Sequence, residues 1–232
     1  RFAAAGATRV VDLGCGIGAD ALAFVAAGLE VVAVEADPVT AALAEANLGR
    51  PVLVADATEV APGLLADDSA VFLDPARRTS TGRTWRVEDL SPPWAFSTGL
   101  LGGRVGCIKA APGLPSGFIP ADVAAVWVSH GGDLVETSLW SGDGVPGSRT
   151  ALLLPSGDRL DAGTRAEPPV GPPARYLYEP DPAVIRSGAV NALADQLGAH
   201  ALASRVAYLT AETLVPTPFA TPFEVLDALA FD

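Results

Sequence analysis

Cysteine and histidine are nearly absent from this chain of 232 residues, with two of each. Cys15 and Cys107 share no paired spacing, which excludes a disulfide scaffold and a cysteine-rich zinc site and suits a reducing compartment. His130 and His200 do not make a dedicated metal centre, so no metal is expected. Charge is scarce as well: 18% of the residues are Asp, Glu, Lys or Arg, while 50% are hydrophobic, a balance that describes a globular rather than a disordered chain. No uninterrupted apolar run approaches the ~20 residues of a membrane span, and no basic-then-apolar segment opens the chain as a signal peptide would. The expectation is a cytoplasmic protein with no membrane partner. There is no initiator methionine and the first strand-like run has begun by Val10, the pattern of a trimmed core of a longer protein.

The length suffices for one substantial α/β core and a small appendage. Its organising stretch is Val10-Val11-Asp12-Leu13-Gly14-Cys15-Gly16-Ile17-Gly18, an apolar run that breaks into three alternate glycines before the helix-forming Ala19–Ala27. Such glycines let the backbone turn sharply and a ligand approach closely, beside the free N–H groups of a helix start. A dinucleotide fingerprint wants two residues between its second and third glycines to seat a pyrophosphate. One stands here. Led by Asp12, the D-x-G-x-G-x-G pattern resembles motif I of the class I S-adenosylmethionine-dependent methyltransferases, whose ligand carries no phosphate. The bland alternative is a glycine-rich turn with no ligand.

Along the chain, Ala19–Ala27 reads as a helix with Leu22, Val25 and Ala26 toward a sheet and Gly28 ending it. Val31–Glu35 reads as a buried parallel strand ending on an acid. Glu35, 17 residues after Gly18, suits a ribose diol in Rossmann-like folds; alone it would be a solvated strand-end charge. Asp37 caps a helix from Pro38 to Leu48, and Pro51–Ala55 reads as a third strand. Asp56 follows; in the methyltransferase resemblance this place accepts the adenine amine, with Ala57 by the ring, and read alone it is a turn or cap residue. Ala70–Leu73 is the fourth strand, and Asp74-Pro75-Ala76-Arg77 stands at its tip, where the resemblance sets motif IV. Ala76 and Arg77 depart from the D-P-P-Y of base N-methyltransferases, which stack an aromatic on the base. D-P-A-R is nearer to the D-P-P-R of RNA 5-methyluridine methyltransferases, but Cys107 lies inside the fifth strand, Arg104–Lys109, and reads as a core thiol rather than their nucleophile. Lys109, at the tip, suits an ion pair with Asp74 or a touch on substrate.

Beyond lie a helix over about Pro93–Leu101 and two strands, Ala121–Ser129 and Asp133–Trp140, joined at His130-Gly131-Gly132, with His130 a turn residue. These resemble the antiparallel pair that closes a class I sheet. Thr150–Leu154 reads as an edge strand. Pro155–Pro173, with five prolines and three glycines, has the composition of a linker. An Asp181 cap and Pro182 then open one long helix to Leu197, and Tyr176–Tyr178, Val206–Leu209 and Phe223–Phe231 are candidate strands. The expected architecture is α/β: a Rossmann-like, mostly parallel sheet with an antiparallel last strand over residues 1–154, a linker over 155–174 and a small α+β appendage over 175–232.

Motif I, Asp74-Pro75-Ala76-Arg77-Arg78 and the segment from Tyr176-Leu177-Tyr178-Glu179-Pro180-Asp181-Pro182 to Arg186 together resemble bacterial class I methyltransferases with a C-terminal THUMP-like domain. The resemblance implies S-adenosylmethionine as cofactor, held by Asp12, Gly14, Cys15, Gly16, Gly18, Glu35, Ala36, Asp56, Ala57 and Asp74, with Asp74, Pro75 and Arg77 catalytic. It implies methylation of RNA, gripped through the Arg77–Arg104 region and the C-terminal domain. Charge divides on this point. The chain carries −12 overall, and Pro155–Asp232 holds ten acids and five bases, both unlike an RNA grip. Between Asp74 and Lys109, however, Arg77, Arg78, Arg83, Arg86, Arg104 and Lys109 outnumber Asp74, Glu88 and Asp89. A small-molecule or protein acceptor, and a cofactor-binding scaffold without chemistry, are the competing expectations.

Overall fold

Val10-Val11-Asp12-Leu13 carries almost nothing that would face water, and it lies where both strand faces are covered, in the middle of a parallel sheet. The computed structural model describes residues 1–65, 68–77, 87–142, 144, 146–163, 167–227 and 229, with the backbone alone of Arg77 and Glu88. Their contacts divide the chain into two compact units: Arg1–Ala110, Leu114–Ala124 and Ser138–Gly147 in the first, Ala111–Gly113, Ala125–Thr137 and Ser148–Asp232 in the second.

The first unit runs β1 (Arg9–Leu13), α1 (Ala19–Ala26), β2 (Glu30–Glu35), α2 (Pro38–Leu48), β3 (Leu53–Val54), α3 (Ala57–Leu64), β4 (Ala70–Leu73), β5 (Ala76–Arg77), β6 (Leu90–Ser91), α4 (Trp94–Gly99) and β7 (Gly106–Ala110). The strands β7-β4-β1-β2-β3 are parallel in that order, with Asp12 in register between Ala33 of β2 and Phe72 of β4. All five C-terminal tips therefore fall on one edge of the sheet. β8 (Ala124–His130) and β9 (Asp133–Ser141) follow, and the end of β9 lies beyond β7. Its last residue, Ser141, sits beside Gly106, the first residue of β7, so this closing strand runs antiparallel. Beneath the sheet, Phe2, Phe24 and Phe72 meet edge to face, with ring centroids 5.0 to 6.4 Å apart.

Two local expectations are corrected. In α1, Ala21 is the buried residue and Phe24 and Val25 are half-buried, while Leu22 and Ala26 face outward; an alanine-rich helix carries too little hydrophobic contrast to reveal its inner face. β3 is two exposed residues rather than Pro51–Ala55, because it lies at the sheet edge, and Asp56 opens α3 by accepting from the Thr58 N–H.

In the second unit β8 and β10 (Arg149–Leu154) pair in parallel, and β11 (Asp158–Asp161) turns back antiparallel on β10. β10 is thus flanked on both sides rather than an edge. Asp158-Arg159-Leu160-Asp161 alternates about one buried leucine after the Pro155-Ser156-Gly157 turn, so part of the expected linker is strand. A second sheet follows: β12 (Tyr176–Pro180), then α5 (Pro182–Ser187) and α6 (Val190–Leu197), then β13 (His200–Ala201), β14 (Leu209–Ala211) and β15 (Ala220–Glu224), in the order β13-β14-β12-β15. The helix expected as one is two, because Gly188 adopts φ +78° and ends α5. α5 rests on β10 and α6 on β11, which is why packing groups these elements while composition separates them at 154 and 174. The last strand lies at Ala220–Glu224 rather than Phe223–Phe231, of which 228, 230 and 231 are outside the described residues. Among the described residues no helix is long and apolar enough to cross a membrane.

Candidate functional site

The tips of β1, β2, β4 and β7 surround a cavity of about 570 Å³ within the first unit. The glycine turn forms one wall. Gly14, Gly16 and Gly18 have φ of +91°, +55° and +84°, which glycine adopts without strain. The N–H groups of Gly14 and Cys15 both donate to the Val34 carbonyl at 2.9 Å, and Gly16 donates to Glu35 Oε2 at 3.0 Å. Glu35 Oε1 accepts from Asp37 at 2.9 Å, so one carboxylate fastens the turn to the end of β2 and still faces the cavity.

Acids dominate the lining: Asp12, Asp20, Glu35, Asp37, Asp56 and Asp74 stand against Lys109. Asp12 is fully buried, and neither carboxylate oxygen meets a hydrogen-bond donor among the described residues. Burial, then the neighbouring Asp20 and Asp74, hold its pKa well above the usual carboxylate range, with Lys109 opposing. Lys109 Nζ lies 3.0 Å from Asp20 Oδ2 and 3.3 Å from Asp74 Oδ2. Burial, reinforced by Asp12 and Glu35, pushes the Cys15 thiol up to about 12, so it is an inert wall.

The structure brings together most of the residues singled out in the sequence. Asp12, Gly14, Cys15, Gly16, Glu35, Ala36, Asp56, Ala57 and Asp74 all line the cavity. Gly18 and Pro75 are not among the lining residues. A Cβ on Gly18 would come within 3.2 Å of Leu48 Cγ, so this glycine serves the packing of α1 on α2. Asp56 Oδ1 accepts from both the N–H and the hydroxyl of Thr58, so it caps α3 as well as facing the cavity. Arg77 ends β5, which pairs with β6; its side chain, and Arg78, Arg83, Trp85 and Arg86, lie outside the described residues. Arg104 precedes β7 and donates to the Ser69 carbonyl just before β4, at the opposite edge of the sheet from Lys109. His130 is the exposed last residue of β8.

Sequence reasoning overlooked Asp20, Phe72, Ser91 and Pro92, which also line the cavity. Asp20 had one available signal: it is the acid in the first turn of α1, immediately after the glycines.

No protein-family model matches the chain. Two curated relatives, described as uncharacterized S-adenosylmethionine-dependent methyltransferases of Mycobacterium tuberculosis strains CDC 1551 and H37Rv, are each 32% identical to it over 236 residues. The alignments take in 97% of this chain, which spans 64% of the length of those relatives. A crystal structure from Porphyromonas gingivalis W83, described as a candidate methyltransferase, matches with a TM-score of 0.72 at 23% identity, over 95% of this chain and 61% of that one. The fold is the Rossmann-like methyltransferase fold. Within it, ligands bind outside the carboxyl ends of the strands, where the order reverses between β1 and β4, and the cavity opens there.

Proposed function

We propose that the chain is the core of an S-adenosylmethionine-dependent methyltransferase. The observation that carries this reading is the buried Asp12 carboxylate, without a donor of its own, beside a cavity ringed by acids. The cavity volume suits a small-molecule cofactor. Six carboxylates against one lysine favour a cationic ligand and repel a pyrophosphate. The donor set therefore fits S-adenosylmethionine, which when bound supplies a methyl group already activated by its sulfonium.

The chain's own residues bind and orient. Glu35, anchored by two backbone N–H groups, keeps acceptor capacity for a ribose diol, and Asp56 is the acceptor for an adenine amine, with Ala57 beside the ring. Asp74, held by Lys109, accepts from the group to be methylated, and Pro75 and Arg77, which follow it in the chain, are the further catalytic candidates. Catalysis is then mostly positioning. Calorimetry with S-adenosylmethionine and S-adenosylhomocysteine tests the reading; binding of neither would overturn it.

For the acceptor we propose RNA, in the cytoplasm, with residues 175–232 as a THUMP-like module. The support is the run of Arg77, Arg78, Arg83 and Arg86 after Asp74 in the sequence and the Y-L-Y-E-P-D-P segment. Methyl incorporation from labelled cofactor into RNA, protein and small-molecule pools tests it. Label confined to protein or metabolites would refute RNA while leaving the methyltransferase reading intact.

A further inference from the structure

The sequence writes fourteen of its cationic side chains as arginine and one as lysine. That lysine, Lys109, stands at the tip of β7 in the cavity, with a side chain 26% exposed. Its ammonium joins three elements, bridging from β7 to Asp20 in the first turn of α1 and to Asp74 directly after β4. A guanidinium is a wider, planar fork suited to bidentate pairing, whereas the two carboxylates here meet a single nitrogen. The charges facing this point are Asp12 from β1, Asp20 from α1, Glu35 from β2 and Asp74 after β4, with Lys109 from β7 the cation against Asp12.

We infer that Lys109 is a positioning residue that sets the charge of the cleft: its single ammonium, shared by Asp20 and Asp74, lets an acidic cavity hold a neutral ligand as well as a cationic one. This rests on the methyl-donor reading, in which a cationic donor and a neutral demethylated product occupy the same cleft in turn. Without the ammonium, the carboxylates discriminate more strongly for the cation. With it, the product is retained on closer terms, and Asp74 keeps a fixed oxygen toward the acceptor.

Calorimetry on wild type, Lys109→Gln and Lys109→Arg, with S-adenosylmethionine and S-adenosylhomocysteine at low salt, tests this. In Lys109→Gln the donor-to-product affinity ratio rises about fivefold, the scale of one unit charge acting across a partly solvated cleft. The rise shrinks as the pH is lowered and Asp12 takes up a proton. Lys109→Arg keeps the ratio near wild type but weakens both ligands, since the larger group fills the cleft. Asp20→Asn, which keeps the lysine and removes one carboxylate, lowers the ratio and provides the test should Lys109→Gln not fold. A ratio within about twofold of wild type in Lys109→Gln, or in Asp20→Asn if that is the variant that folds, overturns the inference. So does an equal loss of both affinities alongside a lower melting temperature, the signature of a merely structural ion pair. If wild type binds neither ligand, the methyl-donor reading itself fails.

Discussion

Replacing Asp12 by asparagine should stabilise the ligand-free protein while weakening its hold on the cofactor. Asp12 has no exposed surface, and both its oxygens lack a donor among the described residues. A buried polar group left unsatisfied costs about 1–3 kcal/mol, and a buried charge more. Asparagine has the same shape without the charge, so although its amide is still without a partner it should relieve the excess cost of the charge, about 1–3 kcal/mol at neutral pH, a rise of about 2–12 °C in melting temperature for a protein of this size. The pH dependence has a definite sign. Because the folded pKa of Asp12 is raised, the folded state binds more protons than the unfolded chain between the ordinary and the raised value. Wild-type stability therefore falls as pH climbs through that window. Asparagine does not titrate, so its advantage is absent in acid, grows up to the raised pKa and continues to increase no further above it. Paired thermal melts of wild type and variant across pH measure this difference. A variant less stable at neutral pH, or one whose advantage is as large in acid, would refute the account. The same substitution should weaken S-adenosylmethionine binding by about tenfold or more, through loss of the buried anion.

Gly18→Val forces a side chain onto φ +84° and to within 3.2 Å of Leu48, and should cost about 2–4 kcal/mol in urea denaturation. Glu35→Gln keeps the shape but offers one accepting oxygen in place of two, so calorimetry should find cofactor binding about tenfold weaker in a folded protein. Cys15, with its thiol pushed up to about 12, should react with iodoacetamide about a thousandfold more slowly than a free thiol near neutral pH, as peptide mapping would record. Tyr178 is fully buried and its hydroxyl accepts from the Val215 N–H at 2.7 Å. Tyr178→Phe should therefore destabilise the second unit by about 1–3 kcal/mol and speed hydrogen exchange at Val215.

What could be read from the sequence was what depends on neighbours along the chain. The glycine turn, Glu35 at the end of β2, the Asp37 cap of α2 and the strand tip at Asp74 are each written within a few consecutive residues. What escaped depends on distance in space. Lys109 and Asp20 are 89 residues apart, and no spacing rule pairs them. That Asp12 lacks a donor is a property of everything packed around it. Gly188 was visible as a glycine, but hydrophobic spacing ran through it, and φ +78° ends the helix regardless. β11 was hidden by prolines and glycines on either side of four residues that alternate correctly.

A helix that begins directly after a glycine turn ordinarily offers its N-terminus to an anion, the seat that dinucleotide-binding sheets give to pyrophosphate. Here that favourable position is taken by the protein itself. Asp20 occupies the first turn of α1, and its charge is met by Lys109 from across the sheet. Any phosphate approaching the turn would also face Asp12, Glu35 and Asp74. The missing residue between Gly16 and Gly18 and the acid two positions after Gly18 thus act in the same direction, one through backbone shape and the other through charge. Neutralising the acid at the helix start, by Asp20→Asn, should leave both the shape of the turn and the remaining carboxylates against a pyrophosphate. Nicotinamide dinucleotides should then still fail to bind by calorimetry, and micromolar binding would show that the Asp20 charge, not the glycine spacing, had been the barrier.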